Sequence, residues 1–153
     1  IRHPERSLQG RMSEALVQNI DLAPTICGWM GVEREEPFDG LDLMPLLTGK
    51  RQRVRDYAIG GWGKHAFVRD HAFNYVVDTL QPDKKTELYA LKSDPKERED
   101  IARARPEVVK AYRERLEALL GGPLPARYAQ QVRAAKTPGL RDFLIHWDGS
   151  NLG

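Results

Sequence analysis

The clearest periodicity in the chain lies just after Pro106, where Val109, Tyr112, Leu116 and Leu119 or Leu120 recur at steps of three and four. That spacing gathers apolar side chains on one face of a helix. Pro106 suits the first turn, where a missing N–H costs little, and Gly121-Gly122 supplies the stop. A second helix is predicted from Asp21. Leu22, Ile26, Trp29 and Met30 share a face, Pro24 falls in the first turn and Gly31 ends it. The Asp21 carboxylate is expected to accept a hydrogen bond from an amide two or three residues on, and the apolar face to dock on a larger core. Asp42 is expected to cap a short helical turn through Leu43, Met44, Leu46 and Leu47, ending at Gly49.

Between these helices the pattern becomes strand-like. Tyr57-Ala58-Ile59, Ala66-Phe67-Val68-Arg69 and Phe73-Asn74-Tyr75-Val76-Val77 are each bounded by Gly, Asp or His, and Glu87-Leu88-Tyr89-Ala90-Leu91 follows the Pro82-Asp83-Lys84-Lys85 loop. Short β-branched and aromatic runs punctuated in this way predict successive antiparallel strands. The segment Gly60-Gly61-Trp62-Gly63-Lys64-His65 is read as a glycine-rich turn between two of them. The expected fold is α+β, with about four antiparallel strands packed on the C-terminal helix. The apolar finish Phe143-Leu144-Ile145-His146-Trp147 is expected to pack on the body or on a neighbouring subunit.

Composition agrees with a folded protein: 41% of the 153 residues are apolar and 30% charged, without the low hydrophobicity and charge excess of disorder. Twenty-four Lys and Arg face 22 Asp and Glu, a net charge of +2. No overall field attracts nucleic acid or an anionic membrane. The dense charges from Lys92 to Glu117 alternate in sign, as on solvated helix faces. No run approaches the roughly 20 apolar residues of a membrane helix. The single cysteine, Cys27, excludes an intrachain disulfide and a cysteine-cluster metal site. Four scattered His residues lack zinc-site spacing. The opening Ile1-Arg2-His3-Pro4 carries neither an initiating Met nor a signal peptide and reads as the continuation of a longer chain, which leaves localisation unassigned.

Three stretches, in this order, resemble the C-terminal half of sulfatases, members of the alkaline phosphatase superfamily. Asn19-Ile20-Asp21-Leu22-Ala23-Pro24-Thr25 runs to Gly31, and Phe38-Asp39-Gly40-Leu41-Asp42-Leu43-Met44-Pro45-Leu46-Leu47-Thr48-Gly49 follows. The third is Glu87-Leu88-Tyr89-Ala90-Leu91-Lys92-Ser93-Asp94-Pro95-Lys96-Glu97, similar to the family's ELYDLxxDPxE segment. Ala90 stands where the family usually has Asp, and Asp42 where it usually has Ser. The resemblance covers about residues 2–120.

The resemblance implies an α/β parent enzyme, a sulfuric ester hydrolase. Residues 1–55 would be the end of its catalytic domain, 56–122 a sheet-plus-helix subdomain and 123–153 a tail. It also implies a formylglycine nucleophile, made from Cys or Ser in a Cys/Ser-x-Pro/Ala-x-Arg motif, and a divalent cation, usually calcium, in an Asp-rich cage, both upstream of this chain. Cys27 lacks that motif, having Trp29 at +2 and Gly31 at +4, and is expected to be a buried structural thiol. Asp21, Asp39 and Asp42 have cap or turn roles that need no metal. The chain alone is therefore expected to be inactive, with no catalytic residue and no metal ligand of its own.

What the resemblance leaves for this chain is contact with a sulfated small-molecule or carbohydrate substrate. Trp62, Lys64 and His65 are the candidates, because an aromatic face, a cation and an imidazole suit an anionic or sugar-like ligand. A plain hairpin with incidental polar residues is the competing reading. Three other readings stand beside the sulfatase: a phosphonate or phosphate ester hydrolase of the same superfamily, a free-standing carbohydrate- or protein-binding module, and, for the assembled protein, a homo-oligomer.

Overall fold

A computed structural model of the chain describes residues 10, 12–32, 38–62 and 64–124. The segment Phe143 to Trp147, His3 and His146 lie outside them. The chain divides into two compact units, Ile1–Ala58 and Ile59–Gly153.

In the first unit a 3-10 turn, Asn19–Asp21, leads into α1, Leu22–Met30, which ends on left-handed Gly31 (φ 66°). The amide of Gly31 and that of Val32 close the helix onto the carbonyls of Gly28 and Cys27, as a helix-ending glycine allows. Pro24 sits in the first turn as expected. Asp21 does not cap the helix forward: it makes no side-chain cap bond, and its carboxylate turns back and across the unit. Within this unit Leu22, Ile26, Trp29 and Met30 are exposed, and Thr25 is the buried residue of α1. α2, Met44–Leu47, is a single turn, and Asp42 Oδ1 accepts the Met44 amide hydrogen at 2.8 Å, as the sequence predicts.

The second unit is built on β1 (Ala58–Trp62), β2 (His65–Arg69), β3 (Phe73–Asp78) and β4 (Thr86–Ala90), in the order β1-β2-β3-β4. β2 pairs antiparallel with β3, Ala66 opposite Val77 and Val68 opposite Tyr75. β3 pairs antiparallel with β4, Tyr75 opposite Leu88. The two-residue alternation thus puts Ala66, Val68, Tyr75, Val77 and Leu88 on one face, all buried. α3, Pro106–Leu120, lays Tyr112 and Leu116 against that face. The Tyr112 ring meets Phe73 edge-on at 5.7 Å between centroids, and its hydroxyl donates to Asp70 Oδ2 in the β2–β3 turn. The meander and its covering helix match the expected fold.

β1 runs further than the sequence predicts, and β2 and β3 each gain one residue, His65 and Asp78. Gly60 and Gly61, expected in a turn, are strand residues of β1. A Cβ on Gly60 would lie 2.6 Å from the Phe67 ring, so the missing side chain is where that ring packs.

The outer edge of β4 is covered rather than open. The Leu88 amide donates to Asp100 Oδ1 at 3.0 Å and the Leu88 carbonyl accepts the Ile101 amide at 2.9 Å. This holds the 3-10 turn Ala102–Ala104 beside the sheet and satisfies backbone groups that an edge strand otherwise presents to another chain.

Candidate functional site

The face of the sheet opposite α3 carries most of the polar strand side chains. From the register, His65, Phe67 and Arg69 of β2 share it with Asn74, Val76 and Asp78 of β3 and Glu87 and Tyr89 of β4. Glu97, in a left-handed backbone conformation (φ 54°), closes one end of this face. Its carboxylate accepts from Arg69 at 3.2 Å and from Asn74 Nδ2 at 2.9 Å, and so ties two paired strand residues together. Asp94 holds that loop in place, its Oδ2 accepting the amides of Arg98 at 2.6 Å and Glu99 at 2.9 Å. The Ser93-to-Glu97 stretch is therefore a clamp on the sheet.

At the other end lie Lys64 and His65, opposite the end of β3. Both the amide and the hydroxyl of Thr79 donate to the Lys64 carbonyl at 2.8 Å, which pins the turn. The Lys64 ammonium stands 3.5 Å from Asp78 Oδ2. The Asp78 side chain is fully buried, with Oδ1 accepting the Leu80 amide at 3.0 Å, while Oδ2 accepts no hydrogen bond from the described residues. Burial works against its ionisation, but the Leu80 amide and the Lys64 charge outweigh it and hold the carboxyl below the usual range. Lys64 therefore spends part of its charge on an internal partner and keeps further donors, an ammonium having three.

His65 is exposed at the start of β2, opposite Asp78, and lines a cavity of about 290 Å³ at this end of the face. Trp62 is exposed at the end of β1. Lys64 and His65 thus meet at Asp78, a residue the sequence does not single out. Its partners are 14 positions or fewer away in sequence, yet only strand pairing brings them together.

The Asp residues of the first unit take a different role. The Asp21 carboxylate is fully buried and accepts the Gln18 amide at 2.7 Å, the Leu41 amide at 2.9 Å and an Arg55 guanidinium hydrogen at 2.5 Å. Burial opposes its charge, and the Leu41, Gln18 and Arg55 bonds overcome that and lower its pKa. Thr25 continues the network, its hydroxyl donating to the Asp21 carbonyl at 2.6 Å and accepting the Leu43 amide at 2.9 Å. A metal cage needs several oxygens turned to one point. Asp21 is saturated by nitrogen donors, Asp42 accepts the Met44 amide at the start of α2, and among the described residues no three His, Cys, Asp or Glu side chains converge. This donor set does not fit a cation. Cys27 is half-buried on α1, less enclosed than the sequence suggests, because this unit covers little of that helix.

The chain resembles known proteins in sequence and in fold. Residues 1–121 match the family described as N-sulphoglucosamine sulphohydrolase, C-terminal. The N-acetylglucosamine-6-O-sulfatase of Bacteroides thetaiotaomicron is 26% identical over 113 residues, 66% of this chain and 20% of that protein. A solved structure in complex with its substrate D-glucosamine-2-N,6-O-disulfate superposes with a TM-score of 0.61 at 23% identity, covering 84% of this chain and 28% of the other. The phosphonate monoester hydrolase of Agrobacterium radiobacter gives 0.59 at 25% identity, over 80% and 27%. The chain thus spans about a fifth of the curated relative that it matches.

Proposed function

This chain belongs to the N-sulphoglucosamine sulphohydrolase C-terminal family, and from that premise we propose that it serves a hydrolase of sulfate monoesters acting on sulfated carbohydrate. The match over residues 1–121 carries the reading, and the N-acetylglucosamine-6-O-sulfatase similarity supports the carbohydrate substrate. In this proposal residues 1–55 finish a catalytic domain, 56–122 form a subdomain beside it, and 123–153 are a tail that packs on the body or on a neighbouring subunit. The division of the chain near Ala58 supports the first boundary.

Ester cleavage needs a nucleophile and a cation for the developing charge, and these are assigned to formylglycine and calcium in sequence outside these 153 residues. This chain's own part is to hold substrate. The exposed Trp62 face packs on a sugar ring, while Lys64, oriented by buried Asp78, and His65 face an anionic group. The likeness to a phosphonate monoester hydrolase favours one runner-up, a phosphonate or phosphate ester hydrolase.

The test is an assay of the protein encoded by the whole reading frame that contains this chain. The substrates are N-acetylglucosamine 6-sulfate, an aryl sulfate and an aryl phosphonate monoester. Preferred release of sulfate is expected, from a frame that encodes Cys/Ser-x-Pro/Ala-x-Arg. Preferred phosphonate cleavage selects the runner-up, and hydrolysis of none of them overturns both. Unchanged kinetics in Lys64→Ala and His65→Ala would remove the substrate role of the hairpin.

A further inference from the structure

The cavity beside His65 is formed by the end of β3, the start of β4 and the 3-10 turn that covers the β4 edge. Its wall includes Asp78, Lys84, Lys85, Glu87, Asp100 and Arg103. Formal charge there is balanced, three acids against three permanent cations, but the two sets are not equally engaged. Asp78 is paired with Lys64. Glu87 Oε2 accepts the Tyr89 hydroxyl at 2.8 Å, and Asp100 Oδ1 accepts the amides of Leu88 and Ala102. Lys84, Lys85 and Arg103 enter no ion pair among the described residues.

We infer that this cavity binds one sulfate-bearing sugar unit, its sulfate held by Lys84, Lys85 and Arg103 and its hydroxyls by Glu87 and Asp100. Unengaged lysines and an arginine around a concave wall are suited to an oxyanion, with the guanidinium able to bind two oxygens at once. A bare anion would also meet the carboxylates and be repelled. A sulfated sugar turns that repulsion into attraction, because its hydroxyls donate to the second oxygens that Glu87 and Asp100 retain. A volume of about 290 Å³ falls just under the range of small-molecule sites, about 300–1,000 Å³, and has room for one sugar unit rather than several. The choice of a saccharide rests in part on the sulfated-carbohydrate reading above; the anion-binding wall does not.

The experiment titrates the 153-residue chain with glucosamine 6-sulfate, and separately with inorganic sulfate, at low ionic strength, following backbone amide NMR shifts. Saturable shifts centred on Thr86, Glu87 and Arg103 are expected. The Lys84→Ala/Lys85→Ala/Arg103→Ala triple variant should bind about tenfold or more weakly, the loss of several charge-assisted bonds. The charge-matched Lys92→Ala/Lys96→Ala/Lys110→Ala variant should bind as the parent does. Lys85→Ala alone is the second variant should the triple one not fold, and a weakened affinity is again expected. No saturable binding, an unchanged affinity in the cavity variants, or equal binding of inorganic sulfate overturns the inference. Such a failure leaves the hydrolase reading standing, whereas absence of hydrolysis in the longer protein would leave this binding result intact.

Discussion

Asp21 and Leu41 are 20 residues apart and joined directly, the buried Asp21 carboxylate accepting the Leu41 amide hydrogen at 2.9 Å. The bond locks the loop after Gly40 to the start of α1, and Arg55 closes the network from further along the chain. Two sequence stretches that look like separate motifs are one tertiary joint.

Breaking that joint should be costly. Removing one partner of a buried ion pair leaves the other charge without compensation, at about 3–5 kcal/mol, and Arg55 Nη1 already lacks a hydrogen-bond partner among the described residues. Asp21→Ala is expected to lower stability by about that amount in urea denaturation. A loss under about 1 kcal/mol, the scale of an exposed pair, would show that the network carries little.

Two glycines should respond with opposite signs. A Cβ on Gly40 would stand 2.1 Å from the Ile20 carbonyl oxygen, which is backbone and cannot rotate away. Gly40→Ala is expected to destabilise by about 1–3 kcal/mol, as overpacking does. Gly28 lies inside α1, with the nearest atom, Asp42 Oδ2, 3.9 Å from such a Cβ. Gly28→Ala should stabilise by about 0.5–1 kcal/mol through the lower helix cost of alanine. Melting curves of both variants read the signs.

Acid should weaken the fold through Asp21 and Asp78. Both carboxyls titrate below their ordinary value when folded, despite burial, because amide and cation partners favour the charged form. Their contribution is complete above the unfolded value of about 3.9 and is lost as pH falls through the folded values. Denaturation midpoints measured from neutral pH downward should therefore drop in that acid range. In Asp78→Asn the drop should be shallower, and a parallel curve for the variant would refute the assignment.

Tyr89 should titrate late. Burial and then the bond to Glu87 push its phenol up to about 12 from 10.0. Site-resolved NMR titration of the tyrosine rings should find one at that value, and Glu87→Gln should bring it down, since the charge beside the phenol is gone.

Glu97→Ala should loosen the face of the sheet opposite α3. It removes the acceptor for Arg69 and Asn74; the half-exposed Arg69 pair is worth about 1 kcal/mol or less, and the part-buried Asn74 bond to a charged acceptor about 1.5–3 kcal/mol. Faster hydrogen exchange in β2 and β3 is the expected signature; exchange confined to the 94–99 loop would contradict the clamp.

Much of the architecture was legible from local pattern. The aromatic and β-branched run Phe73 to Val77 and the three- and four-residue steps of α3 mark segments that bury side chains, and in the structure both supply core residues, Tyr75 and Val77 from the strand and Tyr112 and Leu116 from the helix. Gly31 and Gly121 end helices because both hold positive φ there, a preference written in residue type. Legibility failed where a residue's role depends on a distant partner. Asp21 has the residue type and position of a helix cap, yet the Gln18, Leu41 and Arg55 donors draw its carboxylate elsewhere. Gly60 has the composition of a turn, yet it is a strand position with Phe67 filling the space of its side chain.

The sequence by itself determined the family and the order of helices and strands, because both are carried by residue types at short, regular spacing. Tertiary structure alone decided that the first two motifs form one joint, that Lys64 answers to Asp78, and that three cations without ion partners among the described residues gather at a cavity. Those relations arise from strand register and chain crossing. Hydrogen bonds and charge act through space over a few ångströms, and separation along the chain does not encode that distance.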